Sequence, residues 1–149
     1  MKSLVIYDTN FGNTKIIAEE IAKNLGDHAS VTHIDNVQIN QITTTDLLVI
    51  GCPIIAWNPT IKTKKLLSEI GKVNLKDLFA AAFDTRIDIA IHGDACKKMS
   101  KRLASAGCSL ISEPKYFFVE DKEGPISDGE LEKAAAWGHE LKQSMSDHE

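Results

Sequence analysis

Short apolar runs alternate with helical patterns along the whole chain. Leu4–Tyr7 is a compact apolar run that predicts a first strand, and polar residues follow at once. From Asn13 to Leu25 the apolar positions are Ile17, Ala18, Ile21, Ala22 and Leu25. That 3-4 spacing predicts a helix, which Gly26 can close. Ser30–Ile34 alternates as a strand, and Asn36–Asp46 reads as a loop with one weak helical turn. Leu47–Gly51 is continuously apolar, as in a strand buried on both faces. A helix is expected over Ile61–Ile70, a buried strand over Phe79–Phe83, and a helix over Asp94–Ala106 with Met99, Leu103 and Ala106 inward. Leu110–Glu120 carries the last strand, with Pro114 favouring an edge or bulge. A final helix is expected from Ser127, where Ser127 and Glu130 have capping-box spacing. Leu131, Ala134, Ala135, Gly138 and Leu141 would form its inner stripe, with Trp137 flanking it as a packing residue.

Strands that alternate with helices imply a doubly wound α/β fold, a parallel sheet with helices on both faces. The 149 residues suit a single domain spanning 1–149. A net charge of −4 argues against a nucleic-acid partner, which wants a basic face. The run Lys97, Lys98, Lys101 and Arg102 reads as a solvated helix surface. No apolar stretch approaches the roughly 20 residues of a membrane span. Three cysteines without CxxC spacing, Cys52, Cys96 and Cys108, suggest reduced thiols and a cytoplasmic location. The five histidines form no metal-type pair, so no metal site is assigned, and no catalytic nucleophile or triad is evident.

In a doubly wound sheet, ligands bind outside the carboxyl ends of the strands. Three chemically distinctive loops leave those ends: 8–13, 51–59 and 84–93, the last with room for a short extended piece. The first reads Thr9, Asn10, Phe11, Gly12, Asn13, Thr14. A helix N-terminus presents unpaired N–H groups and partial positive charge, so it suits a phosphate, and a glycine lets the backbone approach one. With neither GxGxxG nor a following GK[ST], the loop fits one phosphate and not a pyrophosphate. The competing reading is that Asn13 or Thr14 merely caps a helix after a glycine turn. In the second loop Trp57 lies between Pro53 and Pro59, flanked by Ala56 and Asn58. It either stacks on a planar ring or packs its own loop. A phosphate cradle and a stacking platform at one switch point together imply a mononucleotide with a large flat ring.

The stretch VIYDTNFGNTKIIAEEIAKNL resembles the flavodoxins, whose phosphate loop reads [ST]-x-T-G-x-T after the first strand; Thr9, Gly12 and Thr14 match that spacing. LLVIGCPIIAWNPTIKTKKLL is similar to the family's second flavin loop, and FDTR…HGDACKKMSKRLASAG to its third loop and fourth helix. The resemblance spans essentially the whole chain and implies a short-chain form, a five-stranded sheet of order 2-1-3-4-5, and FMN at the switch point. Two departures stand out. Phe11 replaces a threonine, removing one side-chain phosphate donor. The third loop has no aromatic beside Asp84 and offers Asp84, Thr85, Arg86, His92 and Gly93 instead.

The implied function is an FMN-binding electron carrier. Thr9, Asn10, Gly12, Asn13 and Thr14 would hold the phosphate. Pro53, Ala56, Trp57 and Asn58 would border the ring on one side, and the third-loop residues on the other. Its partner would be a redox protein or a small electron acceptor. Arg86 and His92, beside Asp84 and Asp94, would make the addition of the second electron less unfavourable than in a family loop lined with acids. Two other readings stay open: an FMN-dependent reductase of quinone-type acceptors using NAD(P)H, and a flavin-free interaction module of the same fold.

Overall fold

The computed structural model describes residues 1–90 and 92–148. In chain order the elements are β1 (Ser3–Tyr7), α1 (Asn13–Leu25), β2 (Ala29–His33), a 3-10 turn (Ile34–Asn36), α2 (Ile39–Thr43), β3 (Leu47–Pro53), α3 (Ile61–Ile70), β4 (Phe79–Ile87), α4 (Ala95–Ser105), β5 (Ser109–Leu110), β6 (Lys115–Val119) and α5 (Glu130–Ser146). The strands run in the order β2-β1-β3-β4, with β5 and β6 both on the far side of β4, and every pairing is parallel. This is the doubly wound 2-1-3-4-5 arrangement, its last strand made in two pieces.

Alternation along each apolar run divides the interior into two layers. Leu4 and Ile6 of β1, Leu48 and Ile50 of β3, and Ala80 and Ala82 of β4 face α3 and α4, meeting Leu66, Ile70, Met99 and Leu103. Val5, Val49, Ala81 and Phe83 face the other way, onto Ile17 and Ile21 of α1 and Ala134 and Leu141 of α5. Each fully buried aliphatic side chain contributes about 1.5–3 kcal/mol, so a one-residue slip of any central strand would exchange the two layers and forfeit several such terms.

The structure departs from the sequence reading in three places. β4 does not stop at Phe83: β6 pairs with Phe83–Ile87 and carries the ladder through the polar residues Asp84, Thr85 and Arg86. The last strand is not continuous over Leu110–Glu120; four residues, ending in Pro114, separate β5 from β6. Finally, α5 begins at Glu130 and not at Ser127. The Ser127 N–H is given to the Phe118 carbonyl at 3.0 Å, which holds Ser127 beside the sheet instead of at a cap. The inner stripe of α5 shifts accordingly. Leu131 is exposed, whereas Trp137 is 1% exposed and sits against Phe83 and Phe117.

Candidate functional site

Four loops meet beyond the carboxyl ends of β1, β3, β4 and β6, around a cleft of about 280 Å³. The loop after β1 is organised by its own side chains. The Asp8 carboxylate accepts the Thr9 N–H at 2.9 Å, and Thr9 Oγ1 accepts the Gly12 N–H at 2.9 Å. Gly12 is left-handed, at φ 93°, and occupies the N-cap of α1, where it brings no side chain to cap the first turn. The N-terminal N–H groups of α1 are thus left to an incoming acceptor, beside Asn10, Asn13 and Thr14. Thr14 Oγ1 and Thr85 Oγ1 lie 2.9 Å apart and tie this turn to β4 beneath the cleft.

The loop after β3 folds into a tight turn. Ile55 and Asn58 exchange both backbone hydrogen bonds, each 2.9 Å. Between them Ala56 (φ 46°) and Trp57 (φ 69°) are both left-handed. Two-residue turns of this hand favour Asn-Gly, because a Cβ costs roughly 1–2 kcal/mol in that region. The strain is held in place from outside. Lys98 Nζ donates to the Trp57 carbonyl at 3.1 Å and to Asn58 Oδ1 at 2.8 Å, and Asn58 Nδ2 donates to the Ala56 carbonyl at 3.0 Å. The result is a tryptophan side chain at the cleft mouth that is 59% exposed.

The end of β4 carries an ion-pair cluster, buried at Asp84 and Arg86 and half-exposed at Asp94. Arg86 forks onto Asp84, Nε to Oδ1 at 2.8 Å and Nη2 to Oδ2 at 2.6 Å, and Nη2 also reaches Asp94 Oδ1 at 3.1 Å. Asp84, with no solvent exposure, additionally accepts the Cys96 N–H at 2.8 Å. The guanidinium lies 4.2 Å from the centre of the Tyr116 ring. Burial disfavours its charge, but hydrogen bonds and attraction from Asp84 and Asp94 prevail and hold its pKa above the ordinary value. Burial likewise opposes the Asp94 carboxylate, yet the Cys96 thiol and Arg86 hold its pKa below the usual range. Cys96 moves up, first through burial and then through the adjacent Asp84. Among the described residues Asp84, Asp94 and Cys96 are grouped as metal ligands could be, but the Arg86 guanidinium already lies against all three. Arg86 Nη1 lies 3.1 Å from His92 Nδ1, a nitrogen that also contacts the Gly93 carbonyl.

The cleft is lined by Thr9, Asn10, Phe11, Asn13 and Thr14, by Pro53, Ala56 and Trp57, and by Thr85, Arg86 and His92. Gly12, Asn58, Asp84 and Gly93 do not line it. Gly12 shapes the turn, Asn58 and Gly93 hold the Trp57 turn, and Asp84 lies beneath as the anchor of Arg86. Arg86 therefore reaches the cleft with its charge paired to Asp84 and Asp94. Ile91 of that stretch lies outside the described residues. Sequence reasoning missed Ile54, Ile55, Ile87, Ile89, Val119 and Lys122. The last two were accessible in principle, because the loop after the last strand leaves the same sheet edge as the other three.

The flavodoxin family profile matches residues 5–137. No curated protein sequence matches the chain significantly. Among solved structures, a flavodoxin from the domain Archaea superposes with a TM-score of 0.85 at 17% identity, covering 98% of this chain and 99% of that one. Oxidised flavodoxin 1 from Bacillus cereus gives 0.83 at 18% identity, covering 96% and 98%. Rubredoxin oxygen:oxidoreductase from Desulfovibrio gigas gives 0.80 at 16% identity, covering 98% of this chain but 36% of that larger one. At these identities the superpositions establish the fold; the profile match over most of the sequence establishes that the chain belongs to the flavodoxin family.

Proposed function

We propose that this chain is a single-domain FMN-binding electron-transfer protein. The observation that carries the reading is the pairing, across one cleft, of an uncapped helix N-terminus behind left-handed Gly12 with an exposed tryptophan held in a left-handed turn. One end of the cleft suits a phosphate and the other a flat ring, so the residues present fit the cofactor. Bound FMN supplies the electron-accepting and electron-donating chemistry.

In this reading Thr9, Asn10, Asn13 and Thr14, with the first N–H groups of α1, bind the phosphate. Charge-assisted hydrogen bonds of this kind are worth about 1.5–3 kcal/mol each. Trp57 offers a stacking face worth roughly 1–3 kcal/mol. Thr85, Ile87, Ile89 and His92 supply a mixed wall opposite. Arg86 keeps that wall rigid through Asp84 and Asp94.

That pairing also bears on the choice between carrier and reductase. The arginine that an anionic second substrate would use is spent on two carboxylates, which favours an electron carrier. A cytoplasmic location accords with the buried free thiols of Cys52, Cys96 and Cys108. Among the described residues no helix is long and apolar enough to cross a membrane. The test is a titration of the purified protein with FMN, followed by flavin absorbance and emission. A saturable spectral change with quenched emission is expected, and a protein that leaves the FMN spectrum unaltered would return the flavin-free reading.

A further inference from the structure

Charge is distributed very unevenly over this fold. α3 exposes Lys62, Lys64 and Lys65 against Glu69, a net +2, and α4 exposes Lys97, Lys98, Lys101 and Arg102 with no carboxylate, a net +4. The two helices together carry +6 in a chain whose total is −4, so everything else carries −10. They lie side by side on one face of the sheet, where Arg102 Nη2 donates to Ser68 Oγ at 2.8 Å. Lys62 shares its charge with Asp35 at 2.9 Å, a surface pair open to solvent. This basic face runs directly into the cleft rim. Ile61, 81% exposed, opens α3, and the segment before it carries exposed Ile55 and Trp57. Lys98 bridges the two by holding the turn around Trp57.

We infer that the α3–α4 face, together with the apolar rim Ile55–Trp57–Ile61, is the docking surface for an acidic redox protein. Protein interfaces combine apolar and aromatic residues with a polar and charged periphery, and here exposed Ile55, Trp57 and Ile61 adjoin the basic face. Opposite potentials steer encounter and fix orientation. The exposed apolar side chains of Ile55, Trp57 and Ile61 beside the basic face favour a protein over a nucleic acid, since protein interfaces bury such side chains. The redox character of the partner rests on the reading of the chain as an FMN carrier, but the charge preference does not.

Two measurements keep these apart. Flavin titration tests the cofactor, while fluorescence anisotropy of a labelled probe protein tests the face, with and without FMN. The acidic probe is a plant-type [2Fe–2S] ferredoxin and the basic one a mitochondrial cytochrome c. Ferredoxin binding at about 20 mM salt is expected to weaken at least about tenfold by about 300 mM salt, as screening sets in. It should weaken by about tenfold or more in Lys97→Glu/Lys101→Glu and in Lys64→Glu/Lys65→Glu, which leave Lys98 and the cleft intact. Glu132→Lys/Glu140→Lys on α5 should leave it within about twofold. No ferredoxin binding, binding indifferent to salt or to both α3 and α4 variants, or tighter binding of cytochrome c would overturn the proposal. So would tighter binding of duplex DNA or phosphatidylserine vesicles than of ferredoxin.

Discussion

Gly93 lies so close to Trp57 that a Cβ at position 93 would sit 2.5 Å from the Trp57 Cα. Gly93 is itself left-handed, at φ 69°. A side chain there would be strained and would push the Trp57 turn off the cleft rim. Gly93→Ala should therefore cost about 1–3 kcal/mol of stability. It should also weaken FMN binding by about tenfold or more. Urea unfolding and flavin titration of the same variant check the two effects separately.

Trp57 should quench the emission of bound flavin by stacking on it. Trp57→Ala is expected to restore emission and to lose about 1–3 kcal/mol of binding. Trp137 is the matched control. It is buried between Phe83 and Phe117, and its Nε1 donates to Ser112 Oγ at 3.0 Å. Trp137→Phe should lower stability while leaving flavin emission unchanged. Emission that stays quenched in Trp57→Ala would remove Trp57 from the ring.

Two cleft residues bear on the phosphate in opposite ways. Phe11, 47% exposed, stands where the family's loop carries a threonine. Phe11→Thr should tighten FMN by restoring a donor. Lys122 lines the same cleft as Asn13 and Thr14, and it brings a cation that the sequence reading did not include. Lys122→Gln should weaken FMN severalfold, by about 1 kcal/mol, and leave riboflavin unaffected. The difference should shrink with added salt. Calorimetry with both ligands reads this out.

The Arg86 cluster makes stability depend on pH. The pKa of Asp94 is depressed in the folded protein, so its contribution is in place above the ordinary carboxylate range. That contribution is lost as pH falls from about 4 toward the lowered value. Urea midpoints of the wild type should therefore fall over this window, and those of Asp94→Asn should fall less. Arg86→Met leaves Asp84 buried without a counter-charge, at a cost of about 3–5 kcal/mol. The double variant Arg86→Met/Asp84→Leu should recover much of that loss.

The central sheet was legible because β1, β3 and the start of β4 are uninterrupted apolar runs, too short for a buried helix and suited to a strand covered on both faces. The end of β4 was not. Asp84-Thr85-Arg86 has the composition of a loop, yet it continues the strand between β3 and β6, with the carboxylate and the guanidinium paired inside the fold. The chemistry of the first loop was legible from its residue types, and Trp57 from its place between prolines. The left-handed backbone of Ala56 and Trp57 was invisible, since neither residue favours that conformation and the contacts that impose it come from Lys98 and Gly93, far along the chain. Lys122 carries no motif of its own; its place at the cleft follows only from the last strand ending at the same sheet edge as β1, β3 and β4. The S-x-x-E spacing at Ser127 is a real capping pattern that the fold uses otherwise, because β6 takes the Ser127 N–H.

The most direct test is a calorimetric comparison of FMN with riboflavin, which differ at the phosphate alone. A cleft built on the uncapped start of α1 should bind FMN at least about a hundredfold more tightly, roughly 2.8 kcal/mol. Equal affinity for the two, or no binding of FMN, would contradict the account.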